Sequence, residues 1–518
     1  MLLFAVSSFV LGLFSARFTA KAGRGLGFEL RKKEYLKVQE YSFSNLDQFR
    51  LNSLVTRMTN DVQIVSDTFC QVLRPLLRAP FQLVFALTFA FLISQELSLS
   101  FAIVIPLLAL ILSILLILTR PKFYRLQRAL DHINRTTQES LVAMKLVRAN
   151  AKKDYEEEKF SIVNNEVKTL GLGALALIAS NQAIIQLMTY ICTLSILFIG
   201  GSTALKQNQA EAVNDIASFL SYTTQTLASL IMLSNVFMSF TRASASYVRI
   251  KEVFKTQSEI IDNKDSTYQM ERGEISFSHV NFKYNKESPK NVLSDISFDI
   301  QEGEFVGILG ETGASKSTLV YLIERFYDIE EGKILLSGRD IKDYSLEELR
   351  NSIAIAFQSP RLFTGTVKEN LLWGKEDASQ EEIEEACKIA CCYDFILHSL
   401  KDGFDTQISQ SGSNVSGGQR QRLCIARAIL RKPKILILDD SFSALDRITE
   451  AQLKKNLREQ LPNTTKIIIS QKVSTMEDAD KIIVLKDGKV NNIGTSEYLL
   501  ENDDIYQDIH RVQMEGLQ

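Results

Sequence analysis

Residues 97–119 contain no Asp, Glu, Lys or Arg. As a helix they would span about 35 Å, more than the roughly 30 Å of hydrocarbon in a bilayer. No other feature restricts the chain so strongly, because a segment dissolved in hydrocarbon must satisfy its own backbone hydrogen bonds, as a helix or a closed barrel. Runs equally free of charge occupy residues 80–93, 171–201 and 216–240, and a fifth covers residues 1–16. The second half of the chain has no such run and spreads its charge evenly. The overall 46% hydrophobic and 23% charged residues therefore average two unlike halves. At 518 residues the chain would make about three globular domains, or fewer with part of it in a membrane. This pattern excludes both a disordered chain and a wholly soluble enzyme.

The charged segments predict an orientation. Residues 1–16 have no basic residue ahead of them and are followed by Arg17, Lys21 and Arg24, which separates them from a secretory signal peptide. Residues 17–68 and 120–170 are long, polar and rich in Lys and Arg, whereas the connections near Gln95 and Lys206 are short and nearly uncharged. The positive-inside rule puts both long segments in the cytoplasm and Met1 outside. Leu126, Leu130 and Ile133, continued by Leu141 and Leu146, have helical spacing. They predict membrane helices that project into the cytoplasm, with tips near residues 53–60 and 140–148. Polar residues within the spans, among them Gln186, Thr223 and Gln225, are expected to join neighbouring helices. A balance of 59 Lys and Arg against 61 Asp and Glu, net charge -2, excludes a generally basic nucleic-acid binder. The six cysteines are too few and too scattered for a disulfide scaffold.

Beyond a polar stretch at residues 255–272, strands and helices alternate. A predicted strand at 305–309 runs into Gly310-Glu-Thr-Gly-Ala-Ser-Lys-Ser-Thr318 and then a helix with Leu319, Leu322 and Ile323. Strand, loop and helix in this order are the setting of a phosphate-binding loop. Backbone N–H groups and a helix N-terminus surround the phosphates, Lys316 adds a point charge, and Ser317 would hold magnesium. Glycine is expected directly before the lysine, where Ser315 stands. A side chain at a site of close approach or unusual backbone angle costs about 1–2 kcal/mol. Residues 435–438 are an apolar strand ending in Asp439-Asp440, as a buried parallel strand delivering a magnesium-binding carboxylate does. Between these motifs lie Gln358 and the run Asn414-Val-Ser-Gly-Gly-Gln-Arg-Gln-Arg422; Ser443-Ala-Leu-Asp446 and a strand at 466–470 follow. Any one of these is compatible with a turn or a core strand, but the full set in this order leaves that reading very little room.

With these motifs in this order, the chain resembles the ATP-binding cassette (ABC) exporters, which fuse a membrane domain to a nucleotide-binding domain. The resemblance covers essentially the whole chain and is most specific at the signature Val415-Ser-Gly-Gly-Gln419. It implies an α-helical transmembrane domain over residues 1–254, a linker over 255–272 and an α/β P-loop nucleotide-binding domain over 273–518. It also implies ATPase/translocase activity with ATP and Mg2+ as cofactors. Tyr284 would stack on adenine. Gly310, Thr312, Gly313, Ala314, Ser315, Lys316, Ser317 and Thr318 would make the phosphate site, with Ser317, Gln358 and Asp439 around the metal. Family cassettes pair head to tail, so Ser416, Gly417, Gly418 and Gln419 would complete the ATP site of a second chain. The tips near residues 53–60 and 140–148 would be coupling helices docked on the cassettes.

The departures from the family fall in one place. Its general base is a Glu, here Asp440, and its switch histidine is here Gln471; His132, His279, His398 and His510 lie elsewhere. Together with Gln358 these two are the candidate catalytic residues. Gln410 stands where many such exporters have a Glu. Ser315, Asp440 and Gln471 would weaken the same composite site, while the signature serves the other. That division is similar to heterodimeric multidrug or lipid-type exporters with one degenerate site. It implies a partner half-transporter with intact Glu and His, and export of a drug, lipid or peptide across the cytoplasmic membrane. The chain would be multi-pass with its cassette in the cytoplasm, and would bind no nucleic acid. The alternatives are a homodimer that hydrolyses slowly, or a nucleotide-binding subunit that is non-transporting or truncated. Five spans are visible where the family has six, the first being absent.

Cys387, Cys391 and Cys392 fall in a stretch, 381–396, that reads as one amphipathic helix without a nearby His, so small buried cysteines are expected rather than a metal site. Trp373, the only Trp, is expected to pack.

Overall fold

All five charge-free runs are helical in the computed structural model, which describes residues 1–49, 51–207, 211–311 and 313–515. In chain order, α1 spans Leu2–Gln39, α2 Phe43–Phe49 and α3 Leu51–Thr56; a π-helical turn, Arg57–Asp61, leads into α4, Val62–Ile93. Then come α5 (Gln95–Val142), α6 (Met144–Ala149), α7 (Lys153–Gln207) and α8 (Glu211–Lys255). Among the described residues, Leu2–Gln39, Leu51–Ile93 and Asp215–Lys255 are long and apolar enough to cross a membrane, and Gln186–Ser202 is a shorter apolar stretch. As expected from their polar periodicity, the helices carry on well past the apolar runs.

The chain forms two compact units, Met1–Gln39 with Leu51–Thr256, and Glu40–Arg50 with Gln257–Gln518. In the first unit α4 packs along α8, α5 along α7, and α1 against α4. Ala90, Leu97, Phe101, Cys192, Ile196 and Phe219 form a small core, in which the rings of Phe101 and Phe219 stack at 5.1 Å. α1 and α4 approach closely at Gly23, where a Cβ would come within 1.9 Å of Cys70 Sγ, and Ser66 Oγ donates to the Gly23 carbonyl at 2.8 Å. The span hydroxyls behave differently from expectation. Thr223 donates to Phe219 O and Thr226 to Tyr222 O, each one turn back on α8. A hydroxyl can satisfy itself on its own helix in this way and needs no neighbour.

In the second unit α2 lies against the cassette. Phe43 lies 4.4 Å from Phe326, ring centre to ring centre. Asn45 Nδ2 donates to Gln257 O at 3.2 Å, Ser44 Oγ donates to Glu259 Oε2 at 2.9 Å, and Tyr327 donates its hydroxyl to Asp47 Oδ2 at 2.7 Å. The helix seated on the cassette is therefore Phe43–Phe49, ahead of the expected tip at residues 53–60, which belongs to the first unit as does α6. Charge pattern locates a polar segment but not the turn of it that carries a matching aromatic.

The cassette begins β1 (Ile275–Phe282), β2 (Leu293–Ile300), β3 (Phe305–Gly310), α9 (Lys316–Ile323), β4 (Glu331–Leu336), β5 (Arg339–Asp340), α10 (Leu346–Ser352), β6 (Ile353–Ala356), β7 (Gly365–Thr366) and α11 (Val367–Leu372). It continues with α12 (Gln380–Ile389), α13 (Tyr393–Ser399), β8 (Gln407–Ile408), α14 (Gly417–Leu430), β9 (Ile435–Asp439), α15 (Arg447–Gln460) and β10 (Thr465–Ile469). Last are β11 (Lys481–Lys486), β12 (Lys489–Gly494), α16 (Ser496–Asn502) and α17 (Asp504–Glu515). Among the described residues a sheet of order β12-β11-β3-β10-β9-β6 is parallel except at its β12 edge, and an antiparallel sheet has order β2-β1-β4-β5. Every residue of β3, β9 and β10 is buried. A parallel strand covered on both faces needs such an unbroken apolar run. Ligands of open parallel sheets collect beyond the carboxyl ends of the strands, which is where β3, β9 and β10 deliver the phosphate loop, Asp439 and Gln471.

The stretch 381–396 is two helices rather than one, because Cys391 adopts a left-handed backbone, φ 54°, between α12 and α13. Cys387 and Cys392 are buried, and no group of three metal-binding side chains occurs among the described residues. Trp373 stacks on Phe363 at 4.2 Å but is 64% exposed, so it is not packed into the core as expected.

Candidate functional site

β3 ends at Gly310, where a Cβ would come within 2.5 Å of Leu485 O, so only glycine lets the chain leave the sheet here. Gly313 follows at φ +90°. Ser315 has φ 67° and ψ 25°, left-handed, and its side chain makes no capping bond to α9. The glycine expected at this position would adopt that conformation freely; serine holds it at a cost of about 1–2 kcal/mol with no hydrogen bond in return. Thr312 lies outside the described residues. Lys316 Nζ donates to Gly310 O at 2.7 Å and to Glu311 O at 2.9 Å, so the ammonium folds back over the loop. Burial lowers its pKa, while Asp440 and Asp439 act in the opposite direction.

Ser317, in the first turn of α9, donates its hydroxyl to Asp439 Oδ1 at 3.2 Å. Asp439 closes β9 and is buried, which raises its pKa; the Ser317 hydrogen bond opposes this and neighbouring Asp440 adds to it. A buried carboxylate beside a second one is a place where a cation would be stabilised. Asp440 stands in a left-handed backbone, φ 47°, and its N–H donates to Ile469 O at 2.9 Å, which ties it to the end of β10. Its Oδ2 accepts from Gln358 Nε2 at 3.3 Å. Tyr284 follows β1; its hydroxyl shares a hydrogen bond with Thr318 Oγ1 at 2.9 Å. Its half-exposed ring meets Phe282 and Tyr327 edge-on, each at 5.0 Å.

The structure thus joins Tyr284, Thr318, Lys316, Ser317, Gln358, Asp439 and Asp440 by short bonds at one end of the parallel sheet. The signature is built separately. Ser416 caps α14 with a reciprocal box: its Oγ accepts from Gln419 N at 3.2 Å, and Gln419 Oε1 accepts from Ser416 N at 2.9 Å. A Cβ on Gly418 would meet Ala444 O at 2.9 Å. Among the described residues, no hydrogen bond from Ser416, Gly417, Gly418 or Gln419 reaches the phosphate loop, Asp439 or Asp440. Ser416, at the N-terminus of α14, is exposed. Gln471 is exposed, with its carbonyl accepting from Gln513 Nε2 at 2.6 Å, and Gln410 is exposed as well.

Two contributors escape the sequence patterns. Tyr327 connects the ring of Tyr284 to Asp47, and α2 itself is seated on the same aromatic group. The signals were present as the adjacent aromatics Phe326-Tyr327 directly after α9 and as Phe43 within a polar stretch, but neither carries a motif.

Residues 293–443 match the family model of the ABC transporter, and residues 1–230 match that of the ABC transporter transmembrane region. The uncharacterized ABC transporter ATP-binding protein YfiB of Bacillus subtilis is 36% identical over 98% of this chain and 87% of its own length. The ATP-dependent lipid A-core flippase of Haemophilus influenzae is 31% identical over 94% of this chain and 83% of its own. The solved structure of a bacterial Atm1-family ABC exporter with ATP bound superimposes with a TM-score of 0.83 at 23% identity, covering 95% of this chain and 86% of that one. The buried strands, the phosphate loop, the paired carboxylates and the capped signature converge with these likenesses: the chain belongs to the ABC transporters that carry a transmembrane region and an ATP-binding domain in one polypeptide, a family of ATP-driven translocases.

Proposed function

We propose that this chain is one half of a heterodimeric exporter in the cytoplasmic membrane, with a degenerate ATP site of its own and a signature that completes its partner's site. The observation that carries the reading is the clustering of unfavourable groups on one face. Ser315 is in a left-handed backbone, Asp440 is tethered to Gln358, and Gln471 stands after β10, while the Ser416–Gln419 cap is complete. Binding groups are kept and hydrolytic ones are altered. Lys316 and the loop N–H groups would hold the phosphates, and Tyr284 would stack on adenine. The donor set fits magnesium, a hard cation that takes oxygen ligands: Ser317 Oγ and Asp439 Oδ1 lie together, and Gln358 uses its amide N–H on Asp440, which leaves the amide oxygen for the metal. Magnesium bound there would neutralise charge on the β- and γ-phosphates.

A carboxylate one methylene shorter than Glu is poorly placed to take a proton from the attacking water, and Gln471 can hydrogen-bond a γ-phosphate but cannot be a cation. ATP would therefore be held longer than it is cleaved at this site. α2 is bonded through the chain to α1 on one side and α3 on the other, so a cassette movement that carries Phe43 and Asp47 is passed to the transmembrane helices. The cargo is a drug, lipid or peptide. The test is ATP turnover of the purified chain in lipid, alone and with a partner cassette that has Glu and His. Binding without turnover alone, and turnover restored by the partner, is the expected result. Turnover by the chain alone that disappears in Lys316→Ala would instead establish a self-sufficient homodimer.

A further inference from the structure

Glu34 lies in the charged half of α1, 18 residues past Ala16 and so about 27 Å along the helix from the apolar run. Its side chain is 0% exposed, and neither carboxylate oxygen has a hydrogen-bond partner. Burying an anion without donors is costly, and the cost is relieved when the group carries a proton. α1 packs here against the π-helical turn, α4 and α8, and the charged groups on those elements do not supply the missing partner. Asp61 of the π-helical turn is also fully buried. It accepts from Ser246 Oγ at 2.8 Å and from Arg249 Nε at 2.7 Å, both on α8, so one anion already occupies the cluster. Arg57 Nη1 donates to the Arg249 carbonyl at 2.9 Å and pairs with Glu252 Oε2 at 2.7 Å, while its buried Nε makes no hydrogen bond to Glu34. On α4, Asp67 pairs with Arg24 at 3.2 Å and accepts from Gln63 at 2.8 Å. Burial first, then Asp61, pushes Glu34 up to about 7, against a smaller pull from Arg57.

We propose that Glu34 is a proton-binding site, and that its neutral carboxyl is the latch holding α1 against the π-helical turn and α8. The step is one acid dissociation, a carboxylic acid releasing its proton to solvent and becoming a carboxylate. Once ionised, Glu34 is a second buried anion beside Asp61 with no hydrogen bond to either of its oxygens, and α1 separates until Glu34 reaches water. The turn Arg57–Asp61 suits such a hinge, because its hydrogen-bond ladder is already one residue out of α-helical register. The inference concerns the transmembrane unit and holds whichever cassette cleaves ATP.

The sign follows from linkage. With Glu34 at about 7 when packed and at its ordinary 4.5 when exposed, the packed state binds more protons between those values. Opening therefore rises about tenfold per pH unit across that interval, about 300-fold in all, and levels above it. The test is amide hydrogen exchange of residues 30–38 in the full chain in lipid nanodiscs, corrected for the intrinsic pH dependence of exchange. Wild type should show that rise and plateau. Glu34→Gln, whose amide stands in for the neutral acid, should stay protected at every pH. The infrared C=O band of a protonated carboxyl, taken as wild type minus E34Q, should vanish with a midpoint near about pH 7. A wild type without the slope, or an E34Q with the same slope, overturns the proposal. So does loss of that band at constant pH on adding Na+ or Ca2+, which would make the site one for a metal cation. If E34Q does not fold, the wild-type profile decides alone.

Discussion

Lengthening one carboxylate tests the reasoning about the ATP site most directly. The Asp440 backbone is fixed, its N–H bonded to Ile469 O at 2.9 Å, and its Oδ2 accepts from Gln358 Nε2 at 3.3 Å, so the reach of the carboxylate is set by the length of the side chain. Asp440→Glu adds one carbon–carbon bond, about 1.5 Å of reach. A general base works within about 2.6–3.2 Å of the proton it takes, so a shortfall of that size removes most of its contribution, typically 100- to 10,000-fold. Geometry restored without the missing histidine should recover only part of this. We expect phosphate release at saturating ATP to rise about 10- to 100-fold, equivalent to about 1.4–2.7 kcal/mol of barrier. A stability loss of about 1 kcal/mol should accompany it, because the left-handed backbone at φ 47° suits Asp better than Glu. The assay is steady-state turnover of the purified chain in lipid, with Lys316→Ala as the background. Unchanged turnover with ATP binding intact would refute the view that carboxylate reach limits this site.

Three further outcomes follow from the same geometry. Ser315→Gly removes a left-handed serine whose side chain makes no capping bond, so urea unfolding followed by Trp373 fluorescence should show a gain of about 0.5–1 kcal/mol after the entropy cost of glycine. Lys466 is buried in β10, and burial, then Arg458, lowers its pKa to about 8 from 10.5. The folded chain binds fewer protons between those values, so its burial costs stability below about pH 8 and the cost fades as pH rises toward 10.5. Lys466→Met should therefore stabilise by about 1–2 kcal/mol at neutral pH and lose that advantage at the alkaline end, measured as the difference between the two unfolding curves. Tyr327→Phe keeps the ring beside Tyr284 and removes the bond to Asp47, so exchange of the Phe43–Phe49 amides should rise about 5-fold, the equivalent of about 1 kcal/mol, with ATP affinity unchanged.

Much of this protein is determined by patterns that act locally along the chain. A charge-free run can lie in hydrocarbon only as a helix, and all five runs are helical. An unbroken apolar strand ending in Asp439-Asp440 has to be a buried parallel strand, and its neighbours in the sheet, β10 and β6, lead to Gln471 and Gln358. Ser315 could be marked as a misfit because glycine before the lysine answers a backbone requirement, and the left-handed φ of 67° is that requirement. What the patterns do not encode is which distant surfaces meet. Phe43 looks like any aromatic in a polar segment until it lies on Phe326, and the break at Cys391 arises where α12 ends and α13 begins. Glu34 is one charge among many on α1, and Asp61 and Arg249 are far from it along the chain. Only tertiary packing removes water from Glu34 and sets a second anion beside it, because desolvation depends on everything that surrounds a group and not on its neighbours in sequence.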